Sequence, residues 1–286
     1  MSTPTNLRAD LPADLLPGLL TVSQAELHAR ATQIRELLAA DQLIVVPTET
    51  VYGIGANPFS PPAVKRLLAA KGRDEAMPPP VLAPTAAAAL ELVDLDQLDE
   101  ATRAALHQAA AEFWPGALTL ILPAKPGLGW DTVRQSNTVA LRVPRENTCL
   151  QLLEAVGVLA VTSANVTGEP PATSVAQAQA YFGGKVACYV DAGTALIGES
   201  STIVGATQIP WRIVRTGPIS ANQLQDFLEI TVQNPGRTVE LSPERQTLEQ
   251  SADSNTELGV EPRLEGDAEQ TVEREAEQTT EQRVDA

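Results

Sequence analysis

Leu43-Ile44-Val45-Val46-Pro47-Thr48-Glu49-Thr50-Val51-Tyr52-Gly53 is the stretch from which the rest of the chain is read. Four consecutive apolar residues fit a short strand buried on both faces. Pro47 stops it, and a loop rich in hydroxyls follows. Upstream, Ser23 and Glu26 form a capping box, and Leu27, Ala31, Ile34 and Leu38 fall on one helical stripe. The unit is therefore a helix, a buried strand and a polar loop.

Further helices and strands follow downstream, without an internal repeat. Ser60-Pro61-Pro62 opens a helix with proline in the first turn, where its missing N–H costs nothing. Val64, Leu67 and Leu68 are its inward positions, and Gly72 stands at its end, where a left-handed residue is wanted. Residues 80–83 read as the next strand. Alanine-rich helices fit residues 85–93 and 99–113 and end before Pro115. Residues 117–122 and 138–143 are β-prone runs, separated by a Gly/Pro-containing loop at 126–137. A helix over 146–156 leads to a strand at 158–161, and then to Thr162-Ser163-Ala164-Asn165. Ser174 caps a helix that runs to Phe182. Residues 186–190 and 211–214 are further strands, and Ser220 starts a last helix with Leu224, Phe227 and Leu228 on its apolar side. Helices alternating with short apolar strands predict an α/β fold. Successive strands without an intervening helix predict a mixed sheet.

Composition narrows the class. Hydrophobic residues make up 43% of the 286, enough for a core, but aromatics only 3%, so the core is aliphatic. The formal charge is -16, and residues 231–286 hold 14 Asp/Glu against 5 Lys/Arg. That last segment has few large apolar residues and no aromatic, so it cannot offset its own ordering entropy and reads as a disordered acidic tail. The expected organisation is a loose lead-in over 1–21, one domain over 22–230 and the tail over 231–286. The acidic balance disfavours non-specific nucleic-acid binding. Cys149 and Cys188 are isolated in sequence, form no metal or redox signature and suit a reducing, cytoplasmic setting. No run of 18 apolar residues predicts a membrane span, and Met1 to Asp10 shows no secretion signal.

Candidate chemistry lies in the loops. Lys71 and Arg73 flank the end of the second helix. They either serve the helix dipole from solvent or meet an anion. Thr162, Ser163 and Asn165 follow a buried strand, where open α/β sheets bind ligands, although a plain polar turn reads the same way. The continuation to Thr173 is long and polar enough to fold over a nucleotide. Arg142 and Arg215 sit in strand patterns, which is unusual unless they are paired; an edge-strand charge is the other reading of Arg142. Ser200, Ser201 and Thr202 add hydroxyls. His28 and His107 fall in helices. Neither G-x-x-x-x-G-K-[ST] nor G-x-G-x-x-G occurs, and no His/Cys/carboxylate cluster offers a metal site. Arginines and hydroxyls without an evident nucleophile suit phosphoryl or nucleotidyl transfer, where positioning and charge stabilisation supply most of the catalysis.

Taken together these motifs resemble the YrdC family of L-threonylcarbamoyladenylate synthases over about residues 22 to 225. They are PTETVYG (47–53), Lys-x-Arg (71–73), Thr-Val-Ala-Leu-Arg-Val-Pro (138–144), Ser-x-Asn (163–165), Ser-Thr (201–202) and Ile-Val-Arg (213–215). The resemblance implies a YrdC-like twisted mixed sheet flanked by helices. It implies formation of threonylcarbamoyl-AMP and pyrophosphate from L-threonine, bicarbonate or CO2, and ATP with the Mg2+ that it carries. A tRNA threonylcarbamoyl transferase complex would act downstream, on ANN-decoding tRNAs. By resemblance Lys71, Arg73, Thr138, Ser163, Asn165, Thr173 and Arg215 hold ATP, with Lys71 and Arg73 the catalytic cations. Thr50, Arg142 and Ser201 hold L-threonine. The sequence departs from the family pattern at Asp74, Leu82 and Gly205. The alternative is a non-catalytic module contacting double-stranded RNA or tRNA through the same cations. The hydroxyls and amide interleaved with those cations favour the small-ligand site.

Overall fold

Alternation of side chains along the strands decides this architecture, because every second residue of the sheet faces a different partner. The protein, here a computed structural model, is described for residues 20–72, 78–127 and 137–228. Arg73, Asp74, the acidic segment 231–286 and most of the lead-in lie outside the described residues.

Ten strands form one mixed sheet: β1 Leu20–Ser23, β2 Ile44–Val46, β3 Gly53–Ala56, β4 Val81–Leu82, β5 Leu118–Pro123, β6 Thr138–Arg142, β7 Leu159–Ser163, β8 Cys188–Asp191, β9 Thr202–Gly205 and β10 Arg212–Arg215. Their order is β1-β8-β2-β3-β7-β4-β6-β5-β9-β10. The helices are α1 Leu27–Ala39, α2 Pro61–Lys71, α3 Ala86–Leu90, α4 Glu100–Phe113, α5 Asn147–Val156, α6 Val175–Phe182 and α7 Gln225–Leu228. The capping box at Ser23 and Glu26 is present, on a 3-10 turn that runs into α1. Ser60 caps α2, and Gly72 ends it at φ 64°.

On one face Val45, Ile54, Val81, Leu120, Leu141, Ala160 and Val204 form the larger core with α2, α3, α4 and α6. Phe113, Trp211 and Phe227 join it; the Trp211 and Phe227 rings stack at 5.1 Å and Phe113 meets Phe227 edge-on at 6.1 Å. Each such contact stabilises by about 0.5–1.5 kcal/mol beyond its buried area. On the other face Ile44, Val46, Leu82, Leu159, Val161, Cys188 and Val190 pack under α1 and α5. Those two helices cover only the half of this face that includes β8 and β2. Over β6, β5, β9 and β10 the second face carries no helix of the smaller core, and Thr119, Ile121, Ala140, Arg142 and Ile203 line a cavity there.

Three strands escape the sequence reading. β1 begins at Leu20, two residues inside the expected lead-in, and pairs in parallel with β8. β3 is Gly-Ile-Gly-Ala, whose glycines hide the pattern. They are required because a Cβ on Gly53 would lie 2.3 Å from Val161 Cγ1, so the neighbouring side chains close over this strand. β9, Thr202–Gly205, follows the hydroxyl cluster at 200–202, where the sequence reading places no strand. Thr162 and Ser163, expected in the loop after a strand, are instead the last residues of β7. The expected final helix is shorter: residues 221–224 are turns and only Gln225–Leu228 are helical.

The loop at 47–52 is tied to the uncovered half of the sheet by a buried ion pair. Glu49 Oε1 lies 2.8 Å from Arg142 Nη2, with each side chain 7% exposed. β6 lies between β4 and β5, so Arg142 is paired inside the sheet and is not an edge charge. Its Nε donates to Gly116 O at 2.9 Å and its Nη1 to Thr50 Oγ1 at 2.9 Å. Glu49 Oε2 accepts from Arg145 N at 3.0 Å. Glu49→Ala leaves the guanidinium buried without its counter-charge and is expected to cost about 3–5 kcal/mol, with Glu49→Ala/Arg142→Leu recovering much of the loss. Urea unfolding of the two variants measures this; equal midpoints for Glu49→Ala and the unaltered chain would show that the pair contributes nothing.

Candidate active site

The cavity has a volume of about 570 Å³, within the usual range for small-molecule sites. Its floor is the bare half of the sheet. Thr138, Ala140 and Arg142 come from alternate positions of β6, Thr119 and Ile121 from β5, Ile203 from β9, and Val214 and Arg215 from β10. The loop residues Thr48, Thr50, Val51 and Tyr52 form one wall, Leu68 and residues 78–80 another, and Thr162 and Ser163 a third. Among the described lining residues the charged groups are two arginines and the other polar side chains are hydroxyls. None is a carboxylate, histidine, lysine or cysteine.

The loop wall is fixed from within. Thr48 Oγ1 donates to Val51 O at 2.6 Å and accepts from Thr50 N and Val51 N at 3.3 Å. From outside, Tyr52 N donates to Ala172 O at 2.8 Å, and Ile197 N and Gly198 N donate to Glu49 O and Thr50 O at 2.9 and 2.8 Å. Tyr52 donates its hydroxyl to Gly193 O at 2.6 Å. Burial pushes that hydroxyl up to about 12, so it stays protonated and is no base at neutral pH.

The third wall is organised by Lys71. A lysine at a helix end normally reaches solvent, but this one is fully buried. Nζ donates to Ser163 O at 2.5 Å, Asn165 Oδ1 at 3.0 Å and Ser163 Oγ at 3.4 Å. Asn165 Nδ2 donates to Glu169 O at 2.7 Å and Val166 O at 3.0 Å. Thr167 Oγ1 reaches back to Lys71 O at 3.0 Å. Lys71, Ser163 and Asn165, which lie some ninety residues apart in two groups, are thus one cluster. In this arrangement Nζ is engaged with the chain, and a phosphate contact requires it to leave at least one of these oxygens.

Arg215 does not extend into the cavity unengaged. Its Nε and Nη2 donate to Ser201 O at 3.1 and 2.7 Å, and Nη2 also to Ser201 Oγ at 3.2 Å. It fixes the Ser200–Ser201 corner, against which Gly217 packs: a Cβ there would lie 2.5 Å from Ser200 O. Thr173 stands apart. Its N and Oγ1 both donate to Gln177 Oε1, at 2.7 and 3.1 Å, and it does not line the cavity. Thr50, Thr138, Arg142, Ser163, Ser201 and Arg215 all do. Arg73 lies outside the described residues.

Glu49, Thr48 and Thr119 carry site geometry that the sequence reading passed over. Glu49 had a usable signal: a carboxylate in the same loop as Thr50, when Arg142 needed a partner. Thr119 had another, as the hydroxyl of an otherwise apolar strand. Cys149 and Cys188 are free and buried, and burial raises both thiols, Cys188 to about 12. They belong to the smaller core.

Comparison with known proteins adds the lineage. The Sua5/YciO/YrdC family model, described as telomere recombination, matches residues 36–217. A Mycobacterium tuberculosis relative, provisionally named a threonylcarbamoyl-AMP synthase, is 40% identical over 193 residues, which is 68% of this chain and 86% of the relative. The threonylcarbamoyl-AMP synthase of Pyrococcus abyssi is 35% identical over 191 residues, 65% of this chain and 54% of that one. The crystal structure of P. abyssi Sua5 complexed with L-threonine superposes with a TM-score of 0.64 at 32% identity, covering 74% of this chain and 61% of that chain. Escherichia coli YciO shares the fold, with a TM-score of 0.60 at 19% identity over 73% of this chain and 99% of that one. The chain belongs to the Sua5/YciO/YrdC family.

Proposed function

We propose that this chain is an L-threonylcarbamoyladenylate synthase that joins L-threonine, bicarbonate or CO2, and ATP into threonylcarbamoyl-AMP and pyrophosphate. The observation that carries it is a cavity walled by arginines and hydroxyls, without a nucleophile or acid–base side chain among its described lining residues. Relatives 35–40% identical bear the corresponding name.

The chemistry needs little from side chains except position and charge. The amino group of L-threonine adds to CO2: an N–C bond forms, a proton leaves nitrogen, and a carbamate results. A carbamate oxygen then attacks the α-phosphorus of ATP, forming O–P as the bond to pyrophosphate breaks. Arg142, with Thr50 and Ser201 beside it, is assigned the amino acid and its carboxylate. Thr138, Ser163 and Asn165 are assigned the nucleotide, with Lys71 holding the last two in place. Lys71 and Arg73 are the cations assigned to the phosphates. Arg215 acts chiefly by fixing Ser201, and Thr173 is left out because its hydroxyl is engaged with Gln177.

Among the described residues no group of three or more His, Cys, Asp or Glu side chains could hold a metal ion. Mg2+ would enter on the phosphates of ATP. Among those residues no helix is long and apolar enough to cross a membrane. Free, buried thiols go with the cytoplasmic setting expected of this reaction. The product is a mixed anhydride, so a transferase acting on ANN-decoding tRNA would consume it. RNA contact by this chain is an outcome to test: no observation of its own favours it.

Pyrophosphate release by the full chain with Mg2+ is expected only when ATP, bicarbonate and L-threonine are all present. Release without L-threonine, or none with the protein folded, would overturn the assignment. Arg73→Ala is expected to lower turnover roughly 100- to 1000-fold, the usual scale for removing one transition-state donor. Single-turnover rates measure it, and an unchanged rate would remove Arg73 from the machinery.

A further inference from the structure

Two pairs of hydroxyls flank Arg142, and their protons are disposed differently. In the first pair Thr48 Oγ1 donates to Val51 O at 2.6 Å. Its bond to Thr50 Oγ1 at 2.8 Å must then use the Thr50 proton, since each hydroxyl has one proton to give. Thr50 Oγ1 also accepts from Arg142 Nη1. Both protons are consumed, and this side of the cavity offers a ligand only an acceptor.

In the second pair Thr119 Oγ1 and Ser201 Oγ lie 2.8 Å apart and share one proton, whichever of them donates. Arg215 Nη2 also donates to Ser201 Oγ. One hydroxyl proton of the pair therefore has no acceptor among the described residues. Both side chains are nearly buried, Thr119 at 1% and Ser201 at 5% exposure, and both line the cavity. A buried donor without an acceptor is unfavourable until a ligand supplies one.

The ladder places this donor beside the guanidinium. Leu120 pairs with Leu141, so Thr119 and Arg142 are neighbours on the opposite, cavity-facing side. Across β9, Thr119 pairs with Ile203, an apolar lining residue.

We infer that Thr119 is a specificity-determining residue: with Ser201 it donates a hydrogen bond to the side-chain hydroxyl of the amino acid, next to an apolar contact from Ile203 for its methyl group. The inference rests on the synthase reading. It matches the β-hydroxyl and β-methyl of L-threonine to one donor and one apolar neighbour on adjacent strands. A substrate without the hydroxyl leaves the donor buried and unpaired, which sites built around a substrate hydroxyl penalise strongly.

The test is calorimetric binding of L-threonine and L-2-aminobutyrate to the full chain, unaltered and as Thr119→Val and Thr119→Ser. The unaltered chain is expected to prefer L-threonine by about tenfold or more. Thr119→Val is expected to lose most of that preference by weakening L-threonine alone, and Thr119→Ser to keep it. An unchanged preference in Thr119→Val, an equal weakening of both ligands, or no preference in the unaltered chain would overturn the inference. Should Thr119→Val fail to fold by thermal melting, Thr119→Ala is read in the same way. Pyrophosphate release separates the two levels. Threonine-dependent release with an unchanged preference rejects Thr119 alone, whereas no release from the unaltered chain rejects the synthase reading.

Discussion

The sheet has more surface than the helices of its second face can cover, and the rest of the structure follows from that shortfall. One face is closed by α2, α3, α4 and α6 over a continuous hydrophobic core. The other receives only α1 and α5. Strands β5, β6 and β9 therefore alternate: aliphatics such as Leu120, Leu141 and Val204 toward the closed side, and Thr119, Thr138, Arg142 with Ile121, Ala140 and Ile203 toward the open one. Apolar surface left in water is unfavourable, so a half-covered face persists best as a binding surface. The cavity is thus a consequence of helix count and strand period.

Charge inside that cavity is moderated. Arg142 faces Glu49 across 2.8 Å, so the guanidinium is already partly neutralised and held in one orientation. This arrangement suits a small zwitterion better than a polyanion, because the cation alone would attract any phosphate that entered. Lys71 is handled in the same spirit, with its ammonium engaged by Ser163 and Asn165. Each strong cation is attached to the chain first and available to a ligand second.

Much of this was legible in the sequence. Helices with proline or serine starts, such as α2 and α6, and aliphatic strands such as β2 and β5 fell where periodicity and caps put them. The polar residues of 47–53, 138–142, 163–165 and 201 that gather at the cavity and beside Lys71 stood out in the sequence because they interrupt or follow apolar strands. What escaped has physical causes. β3 is built from glycines whose function is to admit the side chains of Val161 and its neighbours, and that cannot be seen without the neighbour. Short edge strands such as β1 carry too few residues to show a period. Pairings such as Glu49 with Arg142 or Lys71 with Ser163 join residues more than ninety positions apart, and one sequence gives no distance between them. Thr173, whose residue type and position fitted a ligand role, donates its hydroxyl to Gln177, four residues on, a pairing that residue type alone does not reveal.

The loop at 47–52 is held by Thr48 from inside and by the backbones of Ala172, Ile197 and Gly198 from outside. Its rigidity has a kinetic and a calorimetric meaning. A wall already in its final shape has little conformational entropy left to lose when an amino acid arrives. Association on that side of the cavity becomes a matter of diffusion and desolvation, so selectivity among amino acids is to be sought in how long each one stays.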